Sequence, residues 1–167
     1  MATPRLPGPE ALEEAARSFC TFRLGDVLYG IDVGLVQSVN ALPPLTPIPH
    51  APASVRGYVN LRGQVHLVLD LARLLGAGET PVGTDTRLVL LGSVLGDPFG
   101  VLADRIGEIL TLRPEQIEAR AVDADNGAGL IDGIGKAEGE LVIILNAHRF
   151  LRDVRQSLAA DTGGAAS

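Results

Sequence analysis

The residues whose types could support nucleophilic chemistry are few and isolated in this sequence. Its single cysteine, Cys20, lies between Phe19 and Thr21 in a run typical of a β-strand, with no histidine near it in sequence. No Gly-x-Ser-x-Gly motif is present, so the strand-to-helix setting of a catalytic serine is missing as well. A packing role therefore accounts for Cys20 better than catalysis does.

The three histidines, His50, His66 and His148, do not form a metal-binding pattern, because neither HExxH nor HxH spacing occurs. The segment Asp123–Gly127 resembles the start of a calcium loop, but its glycine comes one position early and no closing glutamate follows. Gly133–Lys136 lacks the spacing of a phosphate-binding loop. We therefore predict neither a metal nor a cofactor.

The elements around these residues are mainly short strands. Glycine and proline divide the chain into segments rich in valine, isoleucine and leucine, which predicts an all-β domain with a minor helical content. Apolar alternation predicts hairpins at Phe19–Ile31 and Gly57–Asp70, with turns at Gly25-Asp26 and Arg62-Gly63. The other predicted elements are strands at Arg87–Leu91, Phe99–Ala103, Glu108–Leu112, Leu130–Lys136 and Leu141–Asn146, and a helix at Ala147–Leu158.

A short helix and a linker are predicted between these strands. Asp32 has the side chain of a helix N-cap. Valines recur after it at helical spacing, at Val33, Val36 and Val39, and predict a short helix. By composition, Gly76–Thr84 is the best candidate for a linker.

The two halves of the chain resemble each other. Gly57–Leu75 aligns with Gly133–Leu151, and Tyr29–Ile31 aligns with Phe99–Val101. The positions of the first alignment that are identical are Gly57, Gly63, Leu69, Arg73 and Leu75. We infer two similar small barrels packed together, since each is too small to be stable alone.

Length and charge exclude several classes of protein. The 167 residues are 46% hydrophobic, enough for a core that needs no disulfide or metal. A net charge of -6 without any basic run argues against a nucleic-acid partner and against a basic membrane anchor. The longest apolar runs, such as Leu141–Leu145, are far shorter than the roughly 18 residues that span a bilayer. Because the N-terminus also lacks a secretory signal, we expect a cytoplasmic protein without direct membrane insertion.

An ordered series of motifs extends over about residues 19–151. The motifs are Phe22–Gly25, Tyr29–Ile31, Val36-Gln37, Pro49–Pro52, Val55–Gly63, Val68–Leu71, Phe99–Ile106 and Leu145-Asn146. Together they resemble the CheW domain of bacterial chemotaxis adaptors. The order and spacing of so many segments are far more specific than any single motif.

This resemblance implies a fold of two packed SH3-like five-stranded β-barrels with a C-terminal helix. Residues 1–18 then form a disordered extension, 19–158 the CheW-like domain with subdomains at about 19–75 and 85–151, and 159–167 a flexible tail. It also implies a non-enzymatic adaptor that couples methyl-accepting chemoreceptors to the histidine kinase CheA. The partners are the cytoplasmic tip of the receptor and the regulatory domain of the kinase, in arrays at the inner face of the membrane.

The resemblance implies partner-binding residues too. Val36, on the apolar face of the predicted helix, and Arg62 with its neighbours Asn60 and Leu61 are expected at or near the groove that faces the receptor. An arginine at a hairpin tip can bind a partner's carboxylate through two hydrogen bonds. It can equally bind a local carbonyl or carboxylate, so both roles stay open.

Other functions also stay open. One is a small-ligand-binding β-domain with a pocket between the barrels. Another is an accessory or competing CheW paralogue of a non-flagellar chemosensory system. Ser38 and Asn40 stand where many family members carry an acidic and often a basic residue, so receptor specificity is open. An enzyme that uses His66 and Asp70 ranks last, because no nucleophile, metal set or cofactor loop supports it.

Overall fold

The computed structural model describes residues 16–92, 97–119 and 130–150, and these are mostly strands. The strands are β1 (Arg17–Leu24), β2 (Val27–Asp32), β3 (Val36–Ala41), β4 (Val55–Leu61), β5 (Gln64–Leu69), β6 (Arg87–Leu91), β7 (Phe99–Ala103), β8 (Arg105–Leu112), β9 (Ile117–Ala119), β10 (Ile131–Ala137) and β11 (Glu140–Leu145). Helical turns occur at α1 (Leu71–Leu74), at residues 147–150, and as 3-10 turns at Val33–Leu35 and Pro114–Gln116. The prediction of an all-β protein with minor helix is confirmed.

The strands form two sheets. The six-stranded sheet has the order β8-β1-β2-β11-β10-β9, and the five-stranded sheet has the order β3-β6-β7-β5-β4. Two neighbouring pairs, β2–β11 and β5–β7, are parallel, and the other pairs are antiparallel. The five-stranded sheet comes from one continuous stretch of chain, whereas the six-stranded sheet is built from both ends.

Buried apolar side chains form one large cluster and two small ones. The large cluster joins strands of both sheets and includes Phe22, Phe99 and Phe150. The small clusters each belong to one sheet, Val59, Val68, Leu88 and Leu102 in the five-stranded sheet and Phe19, Leu112 and Ile144 in the six-stranded sheet. Each sheet therefore has a core of its own and shares a larger one, as expected for two small units that are stabilised by packing together.

The internal similarity of the sequence corresponds to matching positions in the two sheets. The β4–β5 and β10–β11 hairpins each have a register shift just before a glycine, Gly57 or Gly133. A Cβ atom on Gly57 would lie 2.2 Å from the carbonyl oxygen of Thr46, and one on Gly133 would lie 2.7 Å from that of Glu118. Both glycines are therefore required by close backbone approach.

The same correspondence extends to the other strands. Gly30 of β2 pairs with the parallel strand β11, and Gly100 of β7 pairs with the parallel strand β5. Matching strands appear as β8-β1-β2-β11-β10 in one sheet and β3-β6-β7-β5-β4 in the other. The two units thus share one arrangement, but their strands follow the chain in circularly permuted order. Residues 19–75 consequently contribute strands to both sheets, and the predicted boundary between subdomains does not separate the sheets.

The short helix predicted after Asp32 is wrong beyond its first turn. Asp32 does act as a cap, since its Oδ1 accepts a hydrogen bond from the backbone N of Gly34 at 2.9 Å in the 3-10 turn. From Val36 the chain forms β3, which pairs with β6. Valine has a branched Cβ and favours a strand, and this pairing outweighs the helical spacing of Val33, Val36 and Val39.

The segment Gly76–Thr84, predicted as a linker, is attached to the body of the protein. Thr80 is only 2% exposed. Its hydroxyl and backbone N donate hydrogen bonds to Asp70 at 2.8 and 3.1 Å. Thr86 accepts a further hydrogen bond from Gly83 at 2.8 Å. The glycines and proline of this segment make turns, which is why its composition resembles that of a linker.

The predicted ends of the domain are only partly described. β1 begins at Arg17, inside the region predicted to be disordered, and Arg17 and Ser18 pair with Leu112 and Thr111 of β8. Phe150 is fully buried in the shared cluster. Residues 1–15, the segment Asp123–Gly127, the C-terminal helix after residue 150 and the tail lie outside the described residues.

Candidate partner-binding site

The β4–β5 hairpin presents Asn60, Leu61 and Arg62 at a well-defined tip. Arg62 and Gly63 both have positive φ, 53° and 84°, as a two-residue turn of this kind requires. The side-chain oxygen of Asn60 accepts a hydrogen bond from the backbone N of Gly63 at 2.9 Å. This bond holds the turn closed, so the tip is arranged before any partner arrives.

The guanidinium of Arg62 is available to an external partner. Asn60 and Arg62 are exposed, and Leu61 is half-buried. Within the described part of the chain, the Arg62 side chain makes no hydrogen bond or ion pair. Of the two roles that its chemistry allows, binding a carboxylate outside the hairpin therefore agrees better with the geometry than bonding to a local carbonyl.

Val36 and this tip belong to the same sheet. Val36 is the first residue of β3 and pairs with Leu91 of β6. β3 and β4 are the first and last strands in the order of this sheet, and the chain after β3 bridges back to β4, where Thr46 and Tyr58 exchange two backbone hydrogen bonds of 2.8 Å. Val36 is also partly buried and packs against the shared cluster. It therefore lies in a strand, and not on the apolar face of a helix as the sequence predicted.

Two exposed apolar residues near the tip were missed by the sequence reasoning. Tyr58 is 44% exposed and Val65 is 63% exposed. They share the outer face of the hairpin, because Asn60 pairs with Val65 and Tyr58 pairs with Leu67. The alternation along β5 shows which residues share a face but not which face is buried. In the structure the inward set includes His66, which is 6% exposed.

A buried network supports the base of the same hairpin. Asp70 is fully buried, and its Oδ2 lies 3.1 Å from Nη1 of Arg56 on β4. Asp70 also caps α1 by accepting from the backbone N of Arg73. Arg56 reaches the exposed Glu79 at 2.9 Å and the carbonyl of Thr80 at 3.1 Å. Strand, helix and the following segment are therefore tied together at one carboxylate.

The residues considered for chemistry are engaged elsewhere. Asp70 is surrounded by its hydrogen-bond partners, and the buried His66 places Nδ1 at 3.3 Å from the carbonyl of Pro98. Burial raises the pKa of the Cys20 thiol, which disfavours the reactive thiolate. Across residues 16–92, 97–119 and 130–150, no three metal-binding side chains gather in one place.

Three shallow concavities border the sheets. One of about 280 Å³ lies against Arg23, Glu108 and Glu138, and one of about 290 Å³ lies against Arg17, Asp32 and His148. A third, of about 370 Å³, is formed by residues 81–86 with Asp104 and Arg105. None of the described helices is long and apolar enough to cross a membrane.

The fold agrees with comparisons to known proteins. The profile of the CheW-like domain matches residues 18–155, which is most of the chain. The chain belongs to the CheW-like domain family. It is 28% identical over 135 residues to the chemotaxis protein CheW of Rhizobium meliloti, covering 80% of this chain and 86% of that protein.

Two further relatives extend this finding. The protein FrzA of Myxococcus xanthus is 32% identical over 162 residues, covering 96% of this chain and 99% of FrzA. The crystal structure of the scaffolding protein TtCheW from Thermoanaerobacter tengcongensis superposes with a TM-score of 0.72 and 28% identity, over 80% of this chain and 90% of that one. Both matches extend over most of this chain and of the matched protein.

Proposed function

We propose that this protein couples methyl-accepting chemoreceptors to the histidine kinase CheA, in signalling arrays at the inner face of the membrane. It binds the cytoplasmic tip of the receptor and the regulatory domain of the kinase, and performs no chemistry itself. The observation that carries this proposal is the exposed, preformed tip of the β4–β5 hairpin in a CheW-family chain.

The receptor contact is centred on Arg62, with Asn60 and Leu61 beside it. A guanidinium can bind a carboxylate of the receptor through two charge-assisted hydrogen bonds. Because Asn60 already holds the turn closed, little conformational entropy is lost on binding. The exposed Tyr58 and Val65 add apolar area next to the charge, which favours a partner surface that is both acidic and apolar.

Val36 provides a second contact, on β3 of the same sheet. Two polar residues follow it on β3, where Asn40 Nδ2 donates a hydrogen bond to the Ser38 hydroxyl at 2.8 Å. Ser38 and Asn40 thus offer the receptor a neutral polar edge. Because Val36 packs against the shared cluster, Val36→Thr tests this contact better than Val36→Asp, which would also destabilise the core.

Coupling requires that a contact at one sheet bias the partner bound at the other. The two sheets share the large apolar cluster, so a change in the packing of one sheet alters the free energy of arrangements of the other. The receptor need only stabilise one of two arrangements of the assembly by its differential affinity. Kinase activity then follows the populations of these arrangements.

The direct test is kinase autophosphorylation by CheA with receptor present, at increasing concentrations of this protein. We expect saturable binding and a receptor-dependent change in activity. Arg62→Ala should weaken receptor binding about tenfold, the size expected for a central arginine contact. Arg105→Ala is the matched control, since Arg105 is an exposed arginine on the other sheet. Equal receptor affinity of both variants would contradict the assignment of the tip.

The alternative within the family is an accessory or competing paralogue of a non-flagellar chemosensory system. The match to FrzA covers 96% of this chain, and FrzA is a relative that is not named CheW. This match supports the alternative. It predicts binding to the kinase domain without receptor-dependent coupling. A ligand-binding domain has no specific observation in its favour, because the concavities described above are small and shallow.

A further inference from the structure

Two arginine side chains converge on one exposed carboxylate at the base of the β4–β5 hairpin. Nη1 of Arg56 lies 2.9 Å from Glu79 Oε1, and Nη2 of Arg73 lies 3.1 Å from Glu79 Oε2. The side chain of Glu79 is 55% exposed and that of Arg73 is 43% exposed. Each oxygen of Glu79 thus binds a different guanidinium, and this cluster of Arg56, Arg73 and Glu79 is accessible to solvent.

The two guanidiniums have more hydrogen-bond donors than the chain has acceptors for them. Nη1 of Arg56 carries two protons and is shared among three acceptors, Asp70 Oδ2, Glu79 Oε1 and the Thr80 carbonyl. Among the described residues, none accepts a hydrogen bond from Nε or Nη2 of Arg56, or from Nε or Nη1 of Arg73. An anion with more oxygens than a carboxylate can therefore satisfy donors that Glu79 leaves without an acceptor.

The position of Arg56 does not depend on Glu79. Its Nη1 also lies 3.1 Å from the fully buried Asp70 and 3.1 Å from the carbonyl oxygen of Thr80. Thr80 is itself attached to Asp70, to which its hydroxyl and backbone N donate at 2.8 and 3.1 Å. The Glu79 side chain can therefore rotate into solvent while the Arg56 guanidinium and the backbone at Thr80 stay in place. Because ion pairs between exposed groups contribute little to stability, this rotation costs little.

The five-stranded unit alone has this pair of arginines among the aligned positions of the two units. In the alignment of Gly57–Leu75 with Gly133–Leu151, Arg56 precedes the first glycine of one segment and Asp132 that of the other. Asp132 accepts a hydrogen bond from Asn146 at 3.2 Å. A carboxylate thus stands in the second unit where the first has a guanidinium, so we expect one such site per chain.

We propose that Arg56 and Arg73 form a binding site for a phosphate group, and that Glu79 occupies this site in the free chain. A phosphate offers more acceptor oxygens than a carboxylate, and the planar donor fork of arginine matches its geometry. Its charge also exceeds that of Glu79 near neutral pH, which strengthens its attraction to two guanidiniums. This inference is independent of the adaptor function, so either can fail without the other.

The test is calorimetric titration of the full chain with inorganic phosphate, with phenyl phosphate and with acetate, all at the same ionic strength. We expect one phosphate to bind per chain and acetate to bind more weakly. Glu79→Gln removes the competing carboxylate and should tighten phosphate binding about fivefold, which corresponds to an exposed ion pair of about 1 kcal/mol. Arg73→Gln should weaken it at least fivefold. Arg17→Gln is the matched control and should leave it unchanged, because Arg17 is an exposed arginine paired with one carboxylate, Asp32.

These substitutions change exposed side chains, and circular dichroism verifies the fold of each variant. Phosphate binding that is no tighter in Glu79→Gln than in the wild-type chain would overturn the proposal, and so would equal binding in Arg73→Gln and the wild-type chain. Acetate binding as tight as that of phosphate would overturn the assignment of a phosphate site. Binding of both phosphate probes supports a site that accepts phosphate esters, and binding of inorganic phosphate alone supports a site for the free ion.

Discussion

Arg56 lies between two carboxylates at nearly equal distances, which permits a sharp test of the effect of burial. Its Nη1 is 3.1 Å from Asp70 Oδ2 and 2.9 Å from Glu79 Oε1. The side chain of Asp70 is fully buried, whereas that of Glu79 is 55% exposed. Contact distance alone predicts similar contributions to stability. Burial predicts that Asp70 dominates.

The expected loss of unfolding free energy in Asp70→Ala follows from the hydrogen bonds that the carboxylate accepts. Its donors are the Arg56 guanidinium, the Thr80 hydroxyl, and the backbone N atoms of Thr80 and Arg73. Thr80 is buried, so each of its donors loses its partner at a cost of about 1–3 kcal/mol. Arg56 keeps Glu79, which moderates the loss. We expect Asp70→Ala to cost about 3 kcal/mol and Glu79→Ala less than about 1 kcal/mol.

Urea unfolding followed by far-UV circular dichroism measures both values, since the chain has no tryptophan for fluorescence. The double variants with Arg56→Met give the coupling of Arg56 to each carboxylate. A loss for Glu79→Ala as large as that for Asp70→Ala would refute the reasoning. So would a coupling of Arg56 to Glu79 that equals its coupling to Asp70.

Three other changes test the fold. Gly57→Ala should lower the free energy of unfolding in urea by more than about 2 kcal/mol, because a Cβ would meet Thr46. Gly63→Ala, where no atom lies within 4 Å of the added Cβ, should lower it by about 1 kcal/mol. Equal losses would contradict the close approach at Gly57. Because burial raises its pKa, the Cys20 thiol should react with a disulfide reagent only in denaturant, and fast reaction of the native protein would contradict this. Fragments cut within 76–84 should be unfolded alone and fold when mixed, judged by circular dichroism; independent folding of either would show that the sheets do not depend on both halves.

The hairpins were predictable from the sequence because their signals are local. Alternating apolar residues around Gly25-Asp26 and Arg62-Gly63 specify strands and a two-residue turn without reference to the rest of the chain. The structure has β1–β2 and β4–β5 at these places. Strand β9 gave no such signal, since Ile117–Ala119 is short and exists through its pairing with β10.

The assignment of strands to sheets was not predictable in the same way. The sequence similarity between the halves is real, and its equivalent positions have equivalent geometry at Gly57 and Gly133. Yet chain order does not show that β1 and β2 complete a sheet with β10 and β11. That assignment depends on the parallel pairing of β2 with β11, a contact between residues far apart in sequence. Similarity alone therefore places the boundary between the halves of the chain, and not between the sheets.

The candidate site was partly predictable for a related reason. Asn60, Leu61 and Arg62 are in a hairpin tip, and local turn chemistry makes such a tip exposed. Whether Val36 lies beside them depends on where β3 sits in its sheet, and that position is set by pairing with β6, which is far from β3 in sequence. The helical spacing of Val33, Val36 and Val39 predicted a helix where the structure has β3.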